Sequence, residues 1–225
     1  MRILYLLPGV GIDDSEKKRR EAILNQIAFS GTEIEVRAVP SGPKSIESTR
    51  DEYEAMPAVL NFVLEHQQEY DAAIIGCAGD AGLAGTRELA SIPVVGPGES
   101  SLLLGCPGGD IRFSMVTTSA ARAASKHRLV RDTGFDPSRL VSSHSVDIPV
   151  LEMARNPERT LQELIRCIED AKKKGAQVMV IGCMSLAFME ASLLKKASLT
   201  GGLPLINPIV TAVKMAESLV AMHQR

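Results

Sequence analysis

The sequence has 225 residues, of which 45% are hydrophobic and 23% are charged, and its formal net charge is −2. This composition is typical of a globular protein with a full hydrophobic core, and the length allows one large domain or two small ones. The 25 basic and 27 acidic residues leave no basic surplus for nucleic acid or an anionic membrane surface, and aromatic residues are too few for base-stacking platforms.

Neither a signal peptide nor a membrane span is predicted. The apolar run at 2–8 is too short for a signal peptide and lacks a small-residue cleavage site. No segment approaches the roughly 20 apolar residues of a transmembrane helix. We therefore expect a cytoplasmic protein whose cysteines are thiols, and without a Cys-x-x-Cys pair no structural zinc site is predicted. The four cysteines are Cys77, Cys106, Cys167 and Cys183.

The first half of the chain alternates short apolar runs with amphipathic stretches. The predicted order is strand 2–8, helix 14–31, strand 33–39, helix 54–69, strand 70–76, helix 83–90, strand 92–96 and helix 98–104. Asp14 or Ser15 is expected to cap the first helix, and Gly31 to end it.

The second half repeats this pattern. The predicted order is strand 111–117, helix 119–134, strand 139–146, helix 157–175, strand 176–182, helix 185–199, strand 203–207 and helix 208–224. Strands that alternate with helices indicate βαβ units and mostly parallel sheets covered on both faces.

The repeat indicates an internal duplication with four strands in each half. Each half has a Cys at a similar distance after its first strand, followed by a helix and a strand that begins at Pro. We therefore predict an α/β fold of two similar flavodoxin-like domains, each with a four-stranded, mostly parallel sheet flanked by helices. The first domain is predicted to comprise 1–97 and 208–225, and the second 98–207.

Two of the cysteines occupy matching positions at the ends of predicted strands. Cys77 in IIGCAGD (74–80) and Cys183 in VIGCMS (180–185) both follow Ile-Gly. Parallel α/β sheets bind ligands beyond the carboxyl ends of their strands. Backbone N–H groups in the turns that follow favour an anion, so they favour a thiolate or could bind a carboxylate or an enolate oxygen.

A pair of thiols suits inversion at a carbon next to a carbonyl. One thiolate would remove a proton and the other thiol would deliver one to the opposite face, without a cofactor. A cysteine more often simply fills the core, and Cys167, on the apolar arc of helix 157–175, fits that interpretation. Cys106 is expected to be a loop thiol. The shared Ile-Gly-Cys context favours chemistry for Cys77 and Cys183.

Several motifs together resemble the aspartate/glutamate racemase superfamily, and within it the hydantoin and allantoin racemase branch. The resemblance extends over essentially the whole chain. The stretches that carry it are GPKSIESTRDEYEAMP (42–57), DAAIIGCAGDAGL (71–83), RFSMVTT (112–118), DIPVLEM (147–153), GAQVMVIGCMSLA (175–187) and AVKMAESLV (212–220).

The resemblance implies a cofactor-independent isomerase with its active site between two α/β domains, a small-molecule substrate and a homo-oligomeric assembly. Cys77 and Cys183 match the acid/base pair. The positions expected to bind substrate are Pro8, Gly9, Ala78, Gly79, Thr117, Thr118, Met184 and Ser185.

Some of these positions have a simpler structural interpretation. Thr118 could cap the helix that begins near Ser119, and Ser185 could cap its own helix. Asp80 is expected to cap the helix that follows it, and Gly79 to supply backbone freedom and N–H access.

The chain also departs from the branch. Asn-Pro-Asn, common after the first strand, is replaced by Leu7-Pro8-Gly9, and an Asp-Gly near the end by Asn207-Pro208. Met184-Ser185 follows the second cysteine, where glutamate racemases usually have Thr-His. The thiol pair is intact, but the two pocket amides are missing, which leaves the substrate open.

Two alternatives remain at the level of the sequence. Within the superfamily, the chain could be a maleate-type isomerase or an arylmalonate-type decarboxylase, although the latter needs only the second thiol. Outside the enzymes, it could be a two-lobed small-molecule binding protein. The leading hypothesis is a racemase or epimerase of a 5-substituted hydantoin or allantoin.

Overall fold

The chain folds into two compact units. The structure, a computed structural model, describes residues 1–222. The first unit comprises Met1–Ser100 and the chain from Ile209 onward, and the second comprises Ser101–Pro208. The final predicted helix, 208–224, ends beyond the described residues.

Four strands of the first unit form a parallel sheet. They are β1 (Arg2–Leu7), β2 (Glu33–Ala38), β3 (Ala72–Ile75) and β4 (Val94–Val95). Their order is β2-β1-β3-β4, so β1 and β3 are central. Every residue of β3 is buried, which explains its unbroken apolar sequence, whereas the edge strand β2 alternates.

The helices of the first unit flank this sheet. They are α1 (Asp14–Ile27), α2 (Thr49–His66), α3 (Leu83–Leu89) and α9 (Pro208–Met222), while α4 (Pro97–Gly105) contains the boundary between the units. Asp13 caps α1, one residue before the predicted Asp14, and α1 ends before Gly31. Ser48 accepts a hydrogen bond from the Asp51 N–H, so α2 begins five residues earlier than predicted.

The second unit repeats the arrangement. Its strands are β5 (Phe113–Thr117), β6 (Leu140–Ser145), β7 (Val178–Ile181) and β8 (Leu205–Ile206). Their order is β6-β5-β7-β8, again all parallel. The flanking helices are α5 (Ala120–Asp132), α6 (Pro157–Lys173), α7 (Met184–Ala187) and α8 (Ala191–Gly201).

The two sheets have an equivalent hydrogen bond at the end of their central strand pair. The N–H of Gly76 donates to the carbonyl of Leu6 at 2.7 Å, and the N–H of Gly182 donates to that of Val116 at 2.7 Å. Both bonds extend the central strand pair by one residue beyond its last ladder position. The predicted fold of two similar four-stranded α/β units is confirmed.

Further differences from prediction are a divided helix and additional short helices. The predicted helix 185–199 is two helices, α7 and α8, separated at 188–190. Short 3₁₀ helices occur at Gln67–Glu69, Pro137–Arg139 and Val150–Arg155. Within residues 1–222, none of the helices combines the length and apolar character that crossing a membrane requires.

Candidate active site

Cys77 lies two residues beyond the end of β3, and it is 8% exposed. The residue between them, Gly76, is closely packed against β1. A Cβ atom at Gly76 would lie 2.7 Å from the Tyr5 ring and 3.0 Å from the Leu6 carbonyl oxygen. Because nothing larger than hydrogen fits there, glycine allows the chain to leave the sheet beside its central strand and present the thiol at the strand's carboxyl end.

The turn after Cys77 directs a backbone donor at the sulfur. The N–H of Gly79 donates to Cys77 Sγ at 3.3 Å, and the N–H of Asp80 donates to the Cys77 carbonyl oxygen at 3.0 Å. Asp80 has a φ of 54°, a left-handed conformation that Asp tolerates better than most residues. Ala78 is buried within the turn.

Asp80 caps a different helix from the one expected. Its carboxylate accepts hydrogen bonds from the N–H groups of Gly98, at 2.8 Å, and Glu99, at 2.7 Å, in the first turn of α4. Helix α3, which follows Asp80 directly, begins after Gly82 without a side-chain cap. The carboxylate therefore ties the Cys77 turn to the start of α4.

Cys183 occupies the matching place in the second unit. It lies two residues beyond β7, is 8% exposed and precedes α7 directly. Its side chain does not cap α7, while its carbonyl oxygen accepts from the N–H of Ala187 at 3.1 Å. Met184 is buried and Ser185 is half-buried at the start of α7.

The two threonines at the end of β5 have different surroundings. The hydroxyl of Thr117 donates to the Gly182 carbonyl at 3.3 Å, so it braces the residue before Cys183. Thr118 is 3% exposed, and its hydroxyl has no hydrogen-bond partner within residues 1–222. Ser119, not Thr118, caps α5, because its Oγ accepts from the Arg122 N–H. Thr118 Oγ1 is thus a buried polar atom that a bound ligand could satisfy.

The loop after β1 closes against another loop. Leu7 and Pro8 are buried, and a Cβ atom at Gly9 would lie 3.0 Å from the Pro43 carbonyl oxygen. The next two N–H groups donate to the carbonyls of Pro43 and Lys44. Backbone therefore fills the space beside Gly9, and an amide side chain would not fit there without displacing it.

The other two thiols lie deep in the core of the second unit. Cys106 and Cys167 are both 0% exposed. Burial raises the pKa of Cys106 to about 11 and that of Cys167 to about 12. Both are therefore protonated at neutral pH, and they differ in this respect from a thiol suited to acid/base chemistry.

The structure also places two cations in the interior of the second unit, which the sequence interpretation missed. Lys126 is 1% exposed and Arg122 is 5% exposed, one turn apart on the buried face of α5. The Nζ atom of Lys126 lies 3.4 Å from the position of a Cβ atom at Gly182. The available signal was the helical spacing of 122, 126 and 130, which places two cations on the same stripe as apolar Val130.

Within the described residues, His, Cys, Asp and Glu form no group of three or more that could hold a metal ion. The polar groups around the two Gly-Cys turns include the Gly79 N–H, which donates to Cys77 Sγ, and the Thr117 hydroxyl and Lys126 ammonium, which lie beside Gly182. These groups can move protons and stabilise negative charge.

Two similar α/β units, each with a four-stranded parallel sheet, are the fold of solved racemase structures. Residues 17–216 match the model of the Asp/Glu/Hydantoin racemase family. The chain belongs to this family and is a racemase.

Individual relatives agree with this assignment. The chain is 34% identical to a hydantoin racemase from Pseudomonas sp. (strain NS671), and the match covers all of this chain and 88% of that protein. Among solved structures, it is similar to the allantoin racemase from Klebsiella pneumoniae, with 31% identity, a TM-score of 0.84 and coverage of 98% and 88% of the two chains. It is also similar to the allantoin racemase from Pseudomonas fluorescens, with 27% identity, a TM-score of 0.87 and coverage of 99% and 92%.

Proposed function

We propose that the protein is a cofactor-independent racemase of a 5-substituted hydantoin or of allantoin, with Cys77 and Cys183 as its acid and base. One observation carries the proposal: the same strand–Gly–Cys arrangement ends the third strand of each unit, with the same Gly hydrogen bond of 2.7 Å and the same cysteine exposure of 8%. A core-filling thiol would not need this duplicated position.

The proposed reaction consists of two proton transfers. The ring carbon that carries the substituent bears a hydrogen made acidic by the adjacent carbonyl. A thiolate takes this proton, the C–H electron pair moves into the carbonyl to give an enolate, and the other thiol donates its proton to the opposite face. The product is the mirror image at that carbon, the two cysteines have exchanged protonation states, and no electrons are gained or lost. General acid and base groups each contribute about 10²–10⁴-fold to such a step.

Preorganised hydrogen-bond donors that stabilise the enolate would supply the rest of the rate enhancement. The turn at Ala78 and Gly79 and the hydroxyl of Thr118 are candidates for the enolate and ring carbonyls. Thr117 would act through Gly182, whose carbonyl its hydroxyl contacts. The remaining proposed pocket residues are Pro8, Gly9, Met184 and Ser185.

The choice of substrate rests on the relatives. One relative is a hydantoin racemase, and two similar solved structures are allantoin racemases. Hydantoins and allantoin both contain a five-membered ring with an acidic ring C–H beside a carbonyl. At positions 7 and 9 the chain offers a buried Leu and a closely packed Gly, so its pocket is less polar there than Asn side chains would make it. This composition favours an apolar 5-substituent over the ureido group of allantoin.

Isotope exchange tests the reaction directly. A single enantiomer of a 5-substituted hydantoin, and separately of allantoin, is incubated with the protein in heavy water. At early conversion we expect deuterium in the enantiomer that forms and little in the substrate that remains, because separate groups remove and deliver the proton. Product that keeps the substrate's own hydrogen would contradict the two-thiol mechanism, and loss of neither rotation nor hydrogen across a substrate panel would contradict the function.

The chain provides its own control cysteines. Cys77→Ala and Cys183→Ala should each lower the racemisation rate at least about 100-fold, the lower end for an acid or base group. Cys106→Ala and Cys167→Ala, at buried thiols outside the proposed site, should keep the rate within a few-fold once the fraction of folded protein is measured. Full activity in either of the first two variants would remove that thiol from the mechanism.

Assembly and location are separate predictions. We expect a homo-oligomer in the cytoplasm. Light scattering on the purified protein and fractionation of the source cells would check these two points.

A further inference from the structure

Each sheet has one long edge strand, β2 in the first unit and β6 in the second. They begin the orders β2-β1-β3-β4 and β6-β5-β7-β8, and each has six residues. The strands at the opposite edges, β4 and β8, pair over two residues each, and a very short edge offers little backbone to another chain. The outer sides of β2 and β6 are therefore the edges at which a further strand could add.

Helix α1 covers the outer side of β2. The side-chain amide of Asn25 accepts the Ile34 N–H at 2.9 Å and donates to the Ile34 carbonyl at 2.8 Å. The carboxylate of Glu21 accepts the Val36 N–H at 2.9 Å. These outward backbone groups of β2 are thus satisfied within the first unit.

The matching position of β6 is open. Ser143 is the counterpart of Val36, since each pairs with the residue before the one that accepts the Gly hydrogen bond. The N–H of Val146 donates to the Thr117 carbonyl at 3.0 Å, so Val146 faces β5 and Ser143, three positions earlier, faces outward. Within residues 1–222, the N–H and carbonyl of Ser143 have no hydrogen-bond partner on that side.

Helix α5 does not cover this edge. The eighth and twelfth residues of α1 are Glu21 and Asn25, whereas those of α5 are His127 and Arg131, whose side chains form no hydrogen bond to β6 within the described residues. Ser143 Oγ is likewise buried without a hydrogen-bond partner in residues 1–222. A cavity of about 330 Å³ lies between α5 and β6, lined by Ala120, Ala123, Ala124, His127, Ser143 and Ser145.

The composition of β6 does not oppose pairing with another strand. Edge strands commonly carry charges that prevent such pairing, as β2 does with the sequence EIEVRA. Strand β6 is LVSSHS, without Lys, Arg, Asp or Glu. The charges that act on His144 are those of Lys174, Asp170 and Arg166, which include both signs, and Arg166 is paired with Glu163 at 2.7 Å.

We propose that β6 is a self-association edge, at which a second copy of this chain adds its own β6 in the antiparallel direction about a two-fold axis at Ser143. In this register Ser143 and the partner's Ser143 exchange both backbone hydrogen bonds, and Val141 lies opposite the partner's Ser145. Opposite side chains of an antiparallel pair share a face, with Cβ atoms about 4.5–5.5 Å apart, so the two Ser143 hydroxyls can bond to each other. The symmetric pair therefore supplies the partner that the buried Ser143 Oγ lacks in a single chain.

Charge complementarity favours a second copy as the partner. Arg139 and Asp147 lie four residues before and four residues after Ser143, so this register brings Arg139 towards the partner's Asp147 at both ends of the pair. The Arg139 guanidinium otherwise donates to two backbone carbonyls, and Asp147 accepts from a hydroxyl, so these neutral contacts leave both charges in place. Arg139 also acts electrostatically on Asp136, but within residues 1–222 the two form no ion pair.

Like charges on the axis test the register. Ser143→Asp places two carboxylates opposite each other, whereas Ser143→Asn introduces a neutral side chain of the same size. In analytical ultracentrifugation we expect the intact protein and Ser143→Asn to be a dimer or a larger assembly of dimers. Ser143→Asp should have half that mass, or a dissociation constant raised at least about tenfold. An unchanged mass and dissociation constant in Ser143→Asp would overturn the proposal.

Cross-linking tests the axis even if Ser143→Asp does not fold. Ser143→Cys should form an intermolecular disulfide on oxidation with copper phenanthroline, because the residue on the axis meets its own copy at a Cα distance of about 5.5 Å. Ser145→Cys, on the same face but opposite the partner's Val141, should not cross-link to itself. The intact protein, whose four cysteines are buried, sets the background. Absence of the Ser143→Cys cross-link would overturn the proposed axis.

Both measurements are made without substrate, so they are independent of the proposed function. A monomer at every concentration would overturn self-association and leave the β6 edge to an extended peptide or a cavity ligand, with the racemase proposal untouched. Association through Ser143 without C–H exchange in heavy water would overturn the racemase proposal alone.

Discussion

At the scale of single residues, the glycine before Cys77 is packed too closely to accept a larger side chain. A Cβ atom at Gly76 would meet the Tyr5 ring at 2.7 Å, and the ring cannot retreat because Tyr5 is 0% exposed. Gly76→Ala should therefore lower the free energy of unfolding by about 1–3 kcal/mol, as expected for overpacking. Gly85→Ala is the matched control, since Gly85 is exposed on α3 with open space around it, and it should be neutral or stabilising by up to about 1 kcal/mol. Urea unfolding measures both, and equal effects would show that the Tyr5 contact is unimportant.

The buried thiol of Cys167 makes stability depend on alkaline pH. Burial raises its pKa from 9.0 to about 12, so above pH 9 the unfolded chain loses this proton while the folded chain keeps it. Ionisation thus favours the unfolded state, and the stability present below pH 9 is lost as the pH rises towards 12. Each pH unit in this window can lower the free energy of unfolding by about 1.4 kcal/mol. Cys167→Ala removes this dependence, so the stability difference between the intact protein and the variant should shrink from about pH 8 to about pH 10, as measured by urea unfolding. A constant difference would contradict the raised pKa.

At the scale of elements, Asp80 joins the turn after Cys77 to α4. Its two carboxylate oxygens accept from the N–H groups of Gly98 and Glu99. Asp80→Ala removes both acceptors and should cost about 1–2 kcal/mol, in the range of a lost N-cap. Asp80→Asn keeps one acceptor oxygen and the tolerance for positive φ, so it should cost less than Asp80→Ala. Urea unfolding ranks the two variants, and the reverse order would show that neither a remaining acceptor oxygen nor tolerance for positive φ decides stability at this position.

The sequence predicts the elements of this fold better than their ends. The apolar runs of β3 and β7 and the two Ile-Gly-Cys endings are local patterns, which is why the strands and the positions of both thiols could be predicted. Strands β4 and β8 were expected to have five residues each but pair over only two, because pairing depends on how far the neighbouring strand extends. The break between α7 and α8 carries no Gly or Pro. It accompanies a hydrogen bond from the Asn207 side chain to the Ala187 carbonyl, 20 residues away in the chain.

In the candidate site, too, local sequence patterns predict positions along the chain but not contacts between distant segments. The pattern of apolar runs in the sequence predicts where strands end. It therefore predicts the positions of Cys77, Cys183, Thr117 and Thr118, which lie at or just beyond strand ends. The Lys126 stem beside Gly182 was not predicted, because the sequence pattern alone does not show which helix face packs against which strand end. The cap that Asp80 provides was expected on the wrong helix for the same reason, since its partners lie 18 and 19 residues further along the chain.

At the scale of the whole molecule, the first unit is discontinuous in sequence, because α9 belongs to it but follows the second unit along the chain. Val213 on α9 is 0% exposed, and Glu217 of the same helix accepts the N–H of Phe29 beyond the end of α1 at 2.6 Å. Val213→Ala should cost about 2 kcal/mol through the cavity it leaves. Because stability is distributed by local cooperative units, amide hydrogen exchange should then accelerate in β1 and β3 more than in β5 and β7.

Leu164→Ala on α6 is the matched change in the second unit, where Leu164 is also 0% exposed. It should accelerate exchange in β5 and β7 more than in β1 and β3, the reverse of the effect of Val213→Ala. Exchange measured by mass spectrometry on peptides from the four strands distinguishes the two patterns. If both variants accelerate all four strands equally, the units unfold together, and α9 then stabilises the molecule as one cooperative whole instead of the first unit alone.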